Sequence, residues 1–278
     1  RAIVRDMHDR DEAASRLGYV AMGMVVGPMV APAIGGFLDQ IGGWRAGFLF
    51  VAVFGAAVFV MALIQMHETH HQRDGTAGFG TLARNSIVLV RMPDFVGYAL
   101  NVAFSTATFH AFLAGAPFIV TDIIGGTPVD YGLYFVLVAI GYMFGNFLTG
   151  RLTVRYGADR INIAGSVVTL VGLGLLVGAV MLDRLSLLML FLPMAMGSLG
   201  GGLIVPSGTT SAINVRPDIA GAGAGLTGFL QVGSGALATF AVSALHDGTA
   251  FATVAVMVGC GLLSSAFLAL GIWASRRS

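Results

Sequence analysis

Lysine is absent from this sequence. All 15 basic residues are arginines, they face 14 acidic ones, and the formal net charge is +1. That balance gives no support for a nucleic-acid partner. Charge of either sign is scarce, at 10% of residues against 56% hydrophobic ones, which excludes an ordinary soluble domain. There is one cysteine, Cys260, inside an apolar run. It leaves neither a disulfide framework nor a cysteine-built metal site available.

What is present is a series of long apolar runs. Eight are long enough to cross a hydrocarbon core, which takes about 20 residues: Leu17–Leu38, Ala46–Met66, Phe95–Val120, Gly132–Leu148, Asn162–Leu182, Leu187–Pro206, Ala220–Leu245 and Ala250–Trp273. Their interiors hold no Asp, Glu or Arg. The fold class is therefore all-α, a polytopic helical membrane protein. Arginine placement tests the count independently. Threading the eight spans puts 13 arginines on the side of residues 1–16 and only Arg45 and Arg184 on the other. By the positive-inside rule the first side is cytoplasmic, and both ends of the sequence lie there.

The connections on the sparse side are short, and the one long link, from His67 to Asp94, lies on the arginine-rich side. Its beginning is polar. Residues 79–92 then mix Phe79, Leu82, Ile87 and Leu89 with Arg84, Asn85 and Arg91, the composition of an amphipathic interfacial helix. Pro93 and Asp94 read as the start of the following span. Such a link between two helix sets is a natural domain boundary.

The first run carries the most regular pattern. Gly23, Gly27, Ala31 and Gly35 recur every fourth residue, and Pro28, Pro32 and Gly36 form the adjoining stripe. In water these residues would break a helix. In a membrane, neighbouring helices re-satisfy the freed backbone groups, and a small-residue face admits close backbone approach. The pattern predicts either a tightly packed helix or, beyond that, a bent one serving as a hinge. Six spans later, Ala220-Gly221-Ala222-Gly223-Ala224-Gly225 and Gly228 open another span equally rich in small residues, with Gly221, Gly225, Gly228 and Gly235 near one face. That interval suits a parallel six-helix repeat.

These residues resemble the major facilitator superfamily and, within it, the drug:proton antiporters of the Bcr/CflA type. Arg1-Ala2-Ile3-Val4-Arg5-Asp6 with Ala14-Ser15-Arg16 is similar to the family's turn between helices four and five. Gly27-Pro28 through Gly35-Gly36 resembles the antiporter motif of helix five, with Pro32 suiting this subgroup. Ala116-Pro117-Phe118, Tyr131-Gly132 and Ala220–Ala224 resemble the second half. The resemblance implies a major facilitator fold lacking the first three to four transmembrane helices. Residues 1–66 would close the N-terminal bundle, 67–94 would be the cytoplasmic link, and 95–278 the C-terminal six-helix bundle. The family's helix-one carboxylate and helix-four arginine would lie upstream of Arg1. Gly150, Arg151, Arg155 and Gly157 resemble a degenerate copy of the cytoplasmic gating motif, with Val154 where an aspartate usually stands. Arg151 and Arg155 are expected to contact helix ends or lipid phosphates without forming a strong gate.

Few residues are available to carry chemistry. His110 is the one titratable group in mid-span, in the most polar run, which also holds Asn101, Ser105, Thr106 and Thr108. At 100° per residue, Asn101, Ser105, Thr108 and Phe112 share one face, while His110 and Thr106 lie opposite. His110 is either a neutral histidine hydrogen-bonded between helices or a proton relay or drug contact. Gln231 and Asn146 read as bonds to neighbouring helices, with Gln231 also a candidate for the substrate path. Phe104, Phe109, Phe112 and Tyr142 read as pocket lining or as helix filler. His67-Glu68-Thr69-His70-His71 matches the H-E-x-x-H zinc signature. It lies where a span has just ended and lacks a third ligand, so a solvated loop is the better account.

The resemblance implies a transporter, not an enzyme. It would export small drug-like compounds from a bacterial cytoplasm across the inner membrane, with protons as the coupling ion. It would have no cofactor and no metal, and would work as a monomer in the lipid bilayer. The competing readings are a uniporter or importer of a metabolite and, remotely, a membrane metalloprotease. The opening at Arg1 predicts that these residues are the later part of a longer protein.

Overall fold

A computed structural model describes residue 31, residues 34–65 and residues 79–277. Gly23, Gly27, Pro28 and Pro32 lie outside the described residues, as do His67, Glu68 and His71. Residues 34–42 are helical. After them come α1 (Trp44–Gln65), α2 (Phe79–Val90), α3 (Pro93–Phe118), α4 (Pro128–Tyr156), α5 (Ala158–Met181), α6 (Leu187–Asn214), α7 (Ala220–Ala244) and α8 (Phe251–Ser275). Among the described residues there is no strand. Seven of these helices, α1 and α3 to α8, are long and apolar enough to cross a membrane. They correspond to the second through eighth apolar runs.

Local chemistry sets their limits. Pro93 and Asp94 open α3, where the Asp94 carboxylate accepts a hydrogen bond from the Phe95 amide at 2.8 Å. Thr127 and Asp130 form a reciprocal capping box at the start of α4: the Asp130 amide donates to Thr127 Oγ1 at 3.2 Å, and the Thr127 amide donates to Asp130 Oδ2 at 2.8 Å. Gly157, at φ +84°, turns the chain from α4 into α5, a conformation that favours glycine. Two helices outrun their apolar stretches. The fourth run reads as Gly132–Leu148, yet α4 covers 29 residues, because its polar first turn and its arginine-bearing last turns continue the helix beyond the hydrocarbon. The sixth run stops at Pro206, yet α6 passes through both Pro193 and Pro206 to Asn214.

Helices α3 to α8 form one bundle. α3 packs on α6, α7 and α8, while α6 packs on α4 and α5. Glycines set the closest approaches. A Cβ built on Gly97 of α3 would run into the Gly271 backbone of α8. One on Gly172 of α5 would lie 2.6 Å from the Pro193 carbonyl oxygen of α6. Without a hydrophobic force between helices in lipid, such backbone proximity supplies the packing. A buried polar network ties three helices together. Asn101 Nδ2 donates to Ser264 O and Ser264 Oγ, each at 3.0 Å; Asn162 Nδ2 donates to Asn101 Oδ1 at 2.9 Å; Ser264 Oγ donates to Asn101 O at 2.8 Å. Lower down, the Tyr98 hydroxyl donates to Asp159 Oδ1 at 2.9 Å and lies 3.4 Å from Ser275 Oγ. The start of α5 and the end of α8 are thus level at the arginine-rich end.

The second half of the long link is a helix, α2, and Leu89 buries it against Phe95, Tyr98 and Ala222. Ile87 and Val90 on its other side are exposed. None of the described residues of α1 is buried.

Candidate substrate cavity

A cavity of about 270 Å³ lies inside the bundle, with walls from α3, α4, α5, α6 and α7. α3 contributes Ser105, Thr106, Thr108 and Phe109 from consecutive turns. α4 contributes Phe135, Val138, Ala139 and Tyr142, and α6 contributes Met194, Val205 and the small residues Gly197, Ser198 and Gly201. Thr169 of α5 and Gln231 of α7 complete it. The glycines of α6 make room: where α6 meets α4 and α5, its backbone lies too close for side chains, and the same lack of bulk at Gly197 and Gly201 leaves space on the cavity side.

The lining is aromatic and aliphatic with hydroxyls and one amide, and it includes no Asp, Glu, Arg or His. Three of the polar groups are engaged with their own helix, and Thr169 Oγ1 donates across to the Gly197 carbonyl of α6 at 3.3 Å. Thr106 Oγ1 donates to the Val102 carbonyl at 2.9 Å, and Thr108 Oγ1 to that of Phe104 at 3.1 Å. Gln231 Nε2 reaches the Thr227 carbonyl at 3.5 Å. Ser198 Oγ is buried without a hydrogen-bond partner among the described residues. A buried hydroxyl lacking a partner costs roughly 1–3 kcal/mol.

The structure separates the residues singled out from the sequence. Ser105, Thr108 and Gln231 line the cavity together. Asn101 and Phe112 do not: both are completely buried, Asn101 in the network with Asn162 and Ser264, Phe112 edge-on against Phe191 at 5.7 Å. Their shared face with Ser105 is real, but the neighbouring helices close over its two ends. His110 also stands outside the lining. Its Nδ1 lies 3.0 Å from the Thr106 carbonyl, and its ring fills the space beside Gly235 of α7. Phe109 and Tyr142 do line the cavity, whereas Phe104 stacks on Phe267 at 5.6 Å. Asn146 and Gln231, expected to bond neighbouring helices, each donate to the carbonyl four residues earlier on their own helix. Sequence reasoning missed Ser198, Gly201 and Met194. The signal was the glycine run between Pro193 and Pro206, which marks a helix approached on several sides.

Beyond the cavity, no described residue lies near the Cβ position of Gly35, while a Cβ on Gly36 would lie 2.7 Å from the Pro128 carbonyl oxygen. At the gating-motif remnant, Gly150 meets no described residue at its Cβ position and Val154 is 92% exposed. Arg151 and Arg155 stand in the last two turns of α4. Their guanidinium groups lie over the rings of Phe147 and Tyr156, at 4.8 and 5.3 Å, on their own helix. Without a carboxylate at position 154, the nearest attractive surface is an aromatic face.

Comparison with known proteins places this architecture. Residues 1–239 match the family model of the Major Facilitator Superfamily. A bicyclomycin resistance protein homologue of Haemophilus influenzae is 26% identical over 270 residues, covering 95% of this chain and 66% of that protein. Multidrug resistance protein D of Escherichia coli is 29% identical over 241 residues, covering 86% and 60%. A chloramphenicol resistance protein of Pseudomonas aeruginosa is 26% identical, covering 97% and 63%. The chain thus spans about 60–66% of the length of these relatives. Among solved structures, a bacterial homologue of the human lysosomal transporter Spinster, in an inward-facing and unoccupied conformation, has the same fold, with a TM-score of 0.60, 17% identity, and coverage of 98% of this chain and 71% of that one. The superfamily is one of transporters, so the zinc signature at His67 has no enzyme to belong to. This chain belongs to the major facilitator superfamily.

Proposed function

We propose that the protein is a secondary transporter that exports small, largely apolar antimicrobial compounds in exchange for protons, alternating access about a site in mid-membrane. The cavity carries this reading. It is about 270 Å³ with an uncharged, mostly aromatic and aliphatic lining. Such a pocket asks for no charged group on its ligand and recognises by shape, dispersion and a few hydrogen bonds. That suits several substrates better than one. Three relatives named for resistance to bicyclomycin, chloramphenicol or multiple drugs support the substrate class.

The reading concerns a protein of the relatives' length, in which an N-terminal bundle would supply the opposite cavity wall. Residues up to 66 would end that bundle, 67–94 would join the two, and the link and the C-terminus would face the cytoplasm of a bacterial inner membrane, where 13 of the 15 arginines collect. The protein would work as a monomer. The described cavity lining has no carboxylate, so the proton would be carried by a group elsewhere in the whole protein. His110, packed on Gly235 away from the lining, is not that group in this reading.

Everted membrane vesicles containing the full-length protein test it. With an imposed acid-inside gradient, they are expected to accumulate labelled chloramphenicol and to release it when the gradient is collapsed. His110→Asn should retain that dependence. Accumulation indifferent to the gradient would leave a uniporter, and loss of coupling in His110→Asn would return the proton to that histidine.

A further inference from the structure

A second cavity, of about 650 Å³, lies away from the first, between α5 and α8. It is a groove on the lipid-facing surface, since Ile163, Val167 and Trp273 on its edges are 44%, 55% and 51% exposed. From Ser265 to Arg277 it follows α8 for about 18 Å at the helical rise, close to the length of an acyl chain's hydrocarbon. Its walls are apolar for most of that length. At one end the chemistry changes: Trp273, Arg276 and Arg277 form the rim, with the Arg277 guanidinium 4.1 Å from the centre of the Trp273 ring. Arg276 and Arg277 are exposed and make no ion pair with any described residue.

We propose that this groove binds a phospholipid with a net negative headgroup. An acyl chain lies along Val167, Leu170, Leu268 and Ile272, and the phosphate sits between Arg276 and Arg277. Two adjacent cations that form no ion pair among the described residues attract an anion, and arginine pairs with phosphate through parallel N–H donors. Trp273 has the amphipathic ring that favours the headgroup boundary. Tyr98 bridges Asp159 and Ser275, so both walls of the groove end at the same membrane face. The assignment of that face to the cytoplasmic leaflet rests on the topology proposed above.

Native mass spectrometry of the full-length protein, delipidated in detergent, tests the site by titration with phosphatidylglycerol and with phosphatidylcholine of the same acyl chains. One phosphatidylglycerol site is expected to weaken about thirtyfold in Arg276→Gln/Arg277→Gln, from roughly fivefold for each surface arginine, while phosphatidylcholine binding stays unchanged. Val167→Trp, at an exposed position, should weaken both lipids by occupying the groove. Equal wild-type affinities for the two lipids, or phosphatidylglycerol binding unaffected by the double substitution, would reduce the groove to unselective lipid contact. Detergent titration does not depend on sidedness, so an error in the topology would leave this result intact.

Discussion

Gly201 and Gly202 are neighbours with opposite surroundings. A Cβ on Gly201 would lie 3.9 Å from Ser105 Oγ, an ordinary contact at the cavity wall; one on Gly202 would lie 2.5 Å from the Tyr142 carbonyl oxygen and 2.8 Å from the Asn146 amide nitrogen. Backbone of a packed helix cannot give way as a flexible side chain can. Gly202→Ala is therefore expected to cost about 1–3 kcal/mol through overpacking and to lower the thermal midpoint in detergent. Gly201→Ala should leave the midpoint unchanged and alter the relative resistance to different drugs, because its methyl takes cavity volume beside Ser105. Equal stability of the two variants would contradict the placement of α6. Asn101 makes a complementary case. Its amide holds Ser264 and Asn162 together, and Asn101→Ala strips partners from both. We expect a loss of about 1–2 kcal/mol, measured by thermal unfolding, with the drug spectrum unaltered. A changed spectrum at wild-type stability would return Asn101 to the substrate path.

Among the helices, what could be read from sequence was what lipid dictates. Spans follow from transfer energy, and the described spans fall where the apolar runs do. Helix ends were harder. α4 begins at Pro128 and not at Gly132 because a capping box stabilises a polar first turn that hydropathy ignores. The cavity was half legible. Polar residues on α3 pointed to it, but whether a polar residue faces a cavity or another helix depends on neighbours far away in sequence, which separates Ser105 from Asn101. Small-residue patterns were ambiguous for the same reason. Among the described residues nothing lies within 4 Å of the Cβ positions of Gly221, Gly225 and Gly228, while in the unremarked Gly197–Gly202 stretch Gly200 and Gly202 are pressed against α5 and α4. The end of α4 yields a prediction at this scale. Arg155 lies over a ring of its own helix and Val154 is exposed. Arg155→Ala should cost no more than about 1 kcal/mol of stability and leave drug efflux at wild-type rate. Efflux lost at normal expression would make this arginine part of a gate.

At the scale of the whole molecule, transport by alternating access requires two helix sets that part and rejoin. The described residues include a place where the segment before α1 touches the later bundle: Gly36, buried, against the start of α4. Neither partner can yield cheaply. Pro128 has a fixed φ, and the first turn around it is held by the Thr127–Asp130 box. A Cβ at position 36 would lie 2.7 Å from the Pro128 carbonyl oxygen, inside any real van der Waals contact. If this contact closes in one state of the cycle and opens in the other, a side chain there disfavours the closed state alone. Overpacking costs about 1–3 kcal/mol, and a penalty of about 1.4 kcal/mol on one state, near the low end, already means a tenfold fall in its population. Gly36→Val in the full-length protein is therefore expected to insert normally and export about tenfold more slowly, with Gly36→Ala between it and wild type. The graded series matters, because misfolding would abolish surface expression as well as rate. Export at wild-type rate from Gly36→Val would mean that the two helix sets never separate or meet at this point.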